Sequence, residues 1–142
     1  LSGGRKQGKT MRMTQSQHIA RAILCACEIC GEQLFATWAV CWLDGSDRSR
    51  EAAQQLSWEL RWALGEDAPE SAQVWTRTVR AALEAAAART PESAKAWGLE
   101  AVEAAVQATA PTTAWAWAVA VTTPPPVKAI NVKRITRQAR AY

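Results

Sequence analysis

All of the thiol and imidazole chemistry in this chain lies between His18 and Cys41: the only histidine and four cysteines, Cys25, Cys27, Cys30 and Cys41. These are the residue types that bind zinc, which takes four nitrogen or sulfur ligands at the corners of a tetrahedron. Helical spacing works against such a site. On one helix, Cys25 and Cys27 point about 160° apart, and Cys30 and Cys41 are separated by about 16 Å along the axis. Cys27 and Cys30 could share an ion, but two ligands do not close a structural site, and only a break at Gly31 would change this geometry. The thiols are therefore read as small buried hydrophobes. No metal and no cofactor is expected, and clustered thiols without a disulfide framework indicate a reducing compartment. His18 has no Ser, Asp or Cys at a spacing that suggests a proton relay. At a helix start it is expected to be solvated.

Two further patterns invite chemistry. Gly3-Gly4-Arg5-Lys6-Gln7-Gly8-Lys9-Thr10 matches the phosphate-loop pattern GxxxxGK[ST], which works when a strand delivers the loop and a helix follows. Only Leu1 and Ser2 precede it, and no apolar run ending in Asp follows, so the stretch is read as a basic arm that touches phosphates without specificity. The carboxylates Glu66, Asp67 and Glu70 gather at a helix start, where negative charge is favoured by the helix dipole. Glu100 and Glu103 fall on an outer helical face. None of these pairs reads as a general acid and base, and no enzymatic activity is expected.

The formal net charge of +4 conceals a division. Residues 1–21 carry Arg5, Lys6, Lys9, Arg12 and Arg21 and no acid; residues 122–142 carry Lys128, Lys133, Arg134, Arg137 and Arg140 and no acid. The segment between them holds all 13 acids and is net negative. Basic ends on an acidic body suit contact with a polyanion or an acidic protein face; solubilising tails, or tails folded back on the body, are the plain alternative. No apolar run approaches the roughly 20 residues of a membrane span, and no signal peptide is recognisable. Leu1 in place of Met is consistent with a processed product or a natural start at Met11 or Met13.

The elements that would position these residues are helical. Alanine dominates, and it is the strongest helix former. Gln17 to Leu43 reads as one long helix, capped by Thr14 or Ser16 and ended by Asp44-Gly45, because apolar residues recur at steps of three and four. Its second half, from Phe35, has no charge on any side, and such a helix is expected to be buried. A second helix runs from Ser46 or Asp47 to Leu64, with Trp58 and Trp62 on a stripe beside its apolar face. A third runs from Pro69 to about Ala88 and a fourth from Thr90 to about Ala108. These two look like a repeat: Pro69-Glu70-Ser71-Ala72 returns as Pro91-Glu92-Ser93-Ala94, and Trp75 as Trp97. Residues 113–121 alternate like a strand but are assigned to a further helix. At helical spacing the tryptophans are read as core.

The expected fold is all-α: an antiparallel bundle or a short stack of helical hairpins, four to five helices, with extended basic N- and C-terminal arms. Residues 1–13 are the basic Gly-rich arm and residues 14–121 the Ala/Trp-rich helical domain. Residues 122–142 are a Pro-rich linker and basic tail, for which a short amphipathic helix, an added strand and disorder all remain open.

The run from Ala22 to Val121 resembles the Ala-rich, all-helical immunity proteins of bacterial polymorphic toxin systems. The resemblance is carried by the Cys25-Ala26-Cys27 helix, the D-x-x-D-R-x-R-E-A run from Asp44 to Ala52, with Ser49 where such families usually have Pro, and W-A-x-G at Trp62 to Gly65. It implies a non-catalytic protein that blocks a partner by binding it, and no catalytic residues.

Two functions follow as expectations. The first is a helical protein-binding module, immunity-like in its mode of action, whose acidic face at Glu66, Asp67 and Glu70 mimics nucleic acid and occupies a basic toxin site. The second is a structural subunit of a larger assembly, a phage particle or ribonucleoprotein. Its basic termini (Arg5, Lys6, Lys9, Arg12, Lys128, Lys133, Arg134, Arg137 and Arg140) would contact neighbours or nucleic acid. Either places the chain in the cytoplasm or within an assembled particle, with a protein partner and no membrane.

Overall fold

A computed structural model describes residues 12–109 and 129–142. Among the described residues there are seven helices and no strand: α1 (Gln15–Ile29), α2 (Gln33–Leu43), α3 (Arg50–Glu59), α4 (Arg61–Leu64), α5 (Glu70–Ala86), α6 (Pro91–Thr109) and α7 (Val132–Ala139). The phosphate-loop-like stretch, the helix expected at 113–121 and the proline run lie outside the described residues.

Thr14 opens α1 through a reciprocal cap. The Gln17 amide donates to Thr14 Oγ1 at 3.1 Å, and the Thr14 amide donates to Gln17 Oε1 at 2.9 Å, which satisfies two amides that would otherwise lack partners. The helix does not run to Leu43 as its periodicity predicts. Cys30 and Glu32 are extended, at φ −106° and −70°, and the chain restarts as α2. Gly31 lies between them, where its conformational freedom disfavours a helix interior by about 1 kcal/mol. The break reorients the second half, so that Phe35, Trp38, Ala39 and Trp42 join the core. The expectation that α2 is buried on every side fails: Val40 is 61% exposed and Leu34 46%. A helix without charges can still present apolar side chains to solvent.

The second expected helix begins only at Arg50 and bends at Leu60, where φ −99° and ψ 15° separate α3 from α4. Leu56, Leu60 and Ala63 face inward. Pro69 caps α5, and the Thr90 side chain accepts the Ser93 amide at the start of α6. Between them, residues 87–90 reverse the chain, so Arg77 of α5 reaches Glu100, Glu103 and Gln107 of α6. The repeat of sequence is not a repeat of burial, since Trp75 is 8% exposed and Trp97 37%.

α1 is the central element, packed against α2, α5, α6 and α7. Small residues allow this: Ala20, Ala22 and Ala26 of α1 are fully buried beside Ala82 and Ala85 of α5 and Ala94 and Ala101 of α6. Gly98 marks the closest approach, because a Cβ there would sit 3.0 Å from the His18 carbonyl oxygen.

The C-terminal residues are not an extended arm. Asn131 accepts the Arg134 amide at 3.0 Å and opens α7. Its apolar residues Ile135 and Ala139 are fully buried, and Ile135 packs with Cys25 of α1 and Ala105 of α6. Arg134 pairs with Glu28 at 3.2 Å, and the Arg140 carbonyl accepts from Gln17 Nε2 at 3.0 Å, so α7 runs antiparallel to α1. The basic charges alone suggested a free tail; Ile135 and Ala139, four apart, give it an inward face. Among the described residues, no helix is long and apolar enough to cross a membrane.

Candidate protein-binding face

The carboxylates singled out by sequence flank the join of α4 and α5. Gly65 leaves α4 in an extended conformation, and the Ala68 amide returns to the Gly65 carbonyl at 3.2 Å. This places Glu66 and Asp67 on an exposed turn, with Glu70 exposed in the first turn of α5. The turn is anchored from both sides: Gln73 Nε2 donates to the Ala68 carbonyl at 3.3 Å, and Thr76 Oγ1 donates to the Ala63 carbonyl at 2.7 Å.

In the helices leading into this turn stand two tryptophans that helical spacing assigns to the core. Trp58 is 61% exposed and Trp62 50%. Trp62 meets Trp75 of α5 edge to face, with ring centroids 6.5 Å apart, so a buried ring braces an exposed one. The Arg61 guanidinium lies 3.9 Å over the Trp58 ring while donating to the Trp58 carbonyl at 2.8 Å. A sequence signal for this exposure existed. On a helix, Trp58 lies about 200° from both Leu56 and Leu60, which form the inward face. Glu59, Glu66, Asp67 and Glu70 are exposed, as are the two aromatic rings in the helices just before the turn.

Other candidates are placed differently. His18 is buried at 9% exposure, not solvated as expected at a helix start, because α6 closes over it at Gly98. Burial holds its pKa below the ordinary histidine value, with Arg21, Lys95 and Arg140 adding to the effect. Cys25 lies under α7, where burial pushes its thiol up to about 12. The Cys27 side chain lies on the exposed side of α1, yet desolvation raises its thiol to about 11. Cys30 is buried at the break and Cys41 half-buried on α2. Among the described residues, no three His, Cys, Asp or Glu side chains come together as a metal site.

The basic residues do not form one arm. Arg134 is engaged by Glu28, and the Arg140 backbone is bonded to Gln17. Lys133 and Arg137 are exposed on α7, and Arg12 is exposed ahead of α1. Arg5, Lys6, Lys9 and Lys128 lie outside the described residues.

The Asp47-Arg48-Ser49-Arg50 run that carries the resemblance joins α2 to α3. Arg48 stacks 4.5 Å over the Trp42 ring, and its Nε donates to the Trp42 carbonyl at 2.7 Å, closing the end of α2. The Ser49 amide donates to Asp47 Oδ1 at 3.0 Å, and Ser49 Oγ accepts the Ala52 amide at 3.1 Å, opening α3. Hydrogen bonding to Ser49 holds the Asp47 carboxyl below the usual range. These residues close and open helices, which accounts for their chemistry without a ligand.

No protein-family model, curated protein or solved structure matches the chain.

Proposed function

We propose that this chain is a non-catalytic helical protein-binding module, a bundle in which α5 and α7 run antiparallel to α1 and α6, that engages a basic protein partner through Trp58, Trp62, Glu66, Asp67 and Glu70. The observation that carries the proposal is the exposure of Trp58 and Trp62 in the helices that lead into the exposed acidic turn at the α4–α5 join. Tryptophans anchor interfaces because a rigid ring displaces much water at little entropic cost, and they are enriched among the residues that dominate binding energy. Carboxylates around such anchors select a cationic surface and speed encounter with it. An immunity-like mode, in which the acidic face occupies the basic nucleic-acid site of a toxin, is one form of this proposal.

The assembly-subunit alternative relied on free basic termini. It loses support at the C-terminus, where α7 is docked on α1, with Ile135 also against Ala105 of α6.

The test is recovery of the partner by affinity capture, followed by binding of the purified pair. Glu66→Lys, Asp67→Lys and Glu70→Lys combined should abolish binding while the circular dichroism of the fold is retained. Trp58→Ala with Trp62→Ala should weaken it at least tenfold, the scale of a lost aromatic anchor at about 1.4 kcal/mol or more. A partner whose affinity is unchanged by both sets contradicts the proposal.

A further inference from the structure

The four thiols of this chain differ in their surroundings. Cys25 is buried under α7, Cys41 is half-buried on α2, and Cys27 is exposed. Cys30 follows Cys27 by three residues as the C-cap of α1. The Cys30 amide still donates to the Ala26 carbonyl at 2.9 Å, so helical rise and rotation carry the backbone as far as Cys30. Three residues along an α-helix separate Cα atoms by about 5 Å, inside the range of about 4.4–6.8 Å that disulfides span. The other pairings on α1 are worse placed. Cys25 and Cys27 point about 160° apart, and five residues put the Cα of Cys25 about 9 Å from that of Cys30. Cys41 lies near the far end of α2.

The helix break supplies the rest of the geometry. On a regular helix, Cβ atoms three apart stand about 5–6 Å from each other, and a disulfide needs about 3.5–4.5 Å. Cys30 has already left the helical conformation, at φ −106° and ψ 121°. Gly31 follows it, and a Cβ built there would have no atom within 4 Å. Rotation at this joint therefore meets open space, and glycine adopts conformations closed to other residues. Because Cys27 is exposed and Cys30 is buried, a reagent from solvent meets Cys27 first.

We propose that Cys27 and Cys30 form a redox-sensitive dithiol that a low-molecular-weight disulfide converts to an intramolecular disulfide across the end of α1. Cys27 Sγ, as thiolate, attacks one sulfur of the small disulfide. A Cys27 mixed disulfide forms, the small disulfide's S–S bond breaks, and its other half leaves as a thiolate that takes up a proton. Cys30 Sγ then attacks Cys27 Sγ and releases the second small thiol in the same way. Two cysteine thiols are oxidised and one small disulfide is reduced to two thiols. Desolvation raises the Cys27 thiol to about 11 and raises Cys30 also. Thiols of high pKa are poor leaving groups, so the bond, once closed, reopens slowly. It fastens the last turn of α1 to the joint from which α2 departs.

The test incubates the reduced, folded chain with glutathione disulfide, alkylates the remaining thiols and cleaves with glutamyl endopeptidase. Cleavage after Glu28 and Glu32 releases Cys30 on the peptide Ile29–Glu32. The expected product is that peptide joined by a disulfide to the one that carries Cys27. Cys25→Ala, which removes the other thiol of that second peptide, should leave the link in place. Cys30→Ser should instead hold glutathione on Cys27, at a level about tenfold or more above the unaltered chain, because an intramolecular thiol acts at a high effective concentration. The mapping of the unaltered chain stands whether or not the variants fold, and circular dichroism reports their folding. An unaltered chain that stays reduced, one that keeps glutathione on Cys27 without closing, or a Cys30 link that persists in Cys27→Ser overturns the proposal.

Discussion

Gly98 shows how one absent side chain sets a distance between helices. A Cβ at this position would lie 3.0 Å from the His18 carbonyl oxygen and 3.5 Å from the His18 Cβ. Both belong to a packed helix and cannot rotate away. Gly98→Ala gains about 1 kcal/mol of helix propensity and incurs overpacking of about 1–3 kcal/mol. The expected outcome is a net loss of about 1 kcal/mol and a lower Tm; a raised Tm would show that α1 and α6 separate freely. His18 itself makes stability depend on pH. Its folded pKa lies below 6.5, chiefly through desolvation, so the unfolded chain binds the proton more readily. The contribution is complete above about pH 6.5 and is lost as pH falls toward the depressed folded value. Denaturant midpoints should therefore decline from pH 7.5 to pH 5.5 in chloride buffers, and His18→Gln should flatten that decline. An unchanged slope in the variant would place the titration elsewhere.

Helices α5 and α6 were legible in the sequence because Pro69, Glu70, Thr90, Pro91 and Glu92 mark their starts by local chemistry. The Thr14 cap was legible for the same reason. The break at Cys30–Glu32 was not, because apolar spacing continues unbroken from α1 into α2, and Gly31 is the sole mark of the change. The sequence leaves tail helix α7 open among three states, since what decides it is a groove formed by residues far from Ile135 in the chain: Cys25, Ala105 and their neighbours. That docking has a chemical readout. Ile135 covers Cys25, whose thiol is pushed up to about 12, so at pH 7.5 it should react slowly with maleimide. Ile135→Ala should weaken the docking by about 2–5 kcal/mol and accelerate modification of Cys25, followed by peptide mass mapping. Modification as fast in the unaltered chain as in the variant would mean that α7 does not cover the thiol.

Across the molecule, charge and aromatic exposure separate into two surfaces. The turn at the α4–α5 join presents carboxylates, with Trp58 and Trp62 exposed in the helices before it, while Arg12, Lys95 and the buried His18 lie together at the α1–α6 end. The acids of the first surface were legible as a cluster, but its tryptophans were assigned to the core, because helical spacing alone does not say which stripe faces inward. Leu56 and Leu60 decide that by being buried opposite Trp58. The second surface was hidden from sequence reasoning: Lys95 is far from Arg12 and His18 in the chain and meets them only because α1 and α6 pack in parallel. Exposed rings flanked by carboxylates are the central functional claim, and site-specific photo-cross-linking in the native host tests it most directly. A photoreactive phenylalanine derivative at Trp62 should yield a discrete protein adduct that disappears when Glu66, Asp67 and Glu70 are changed to Lys. The same probe at exposed Val106 should yield none. Equal adducts at both positions, or none at Trp62, would contradict a partner-binding role for this face.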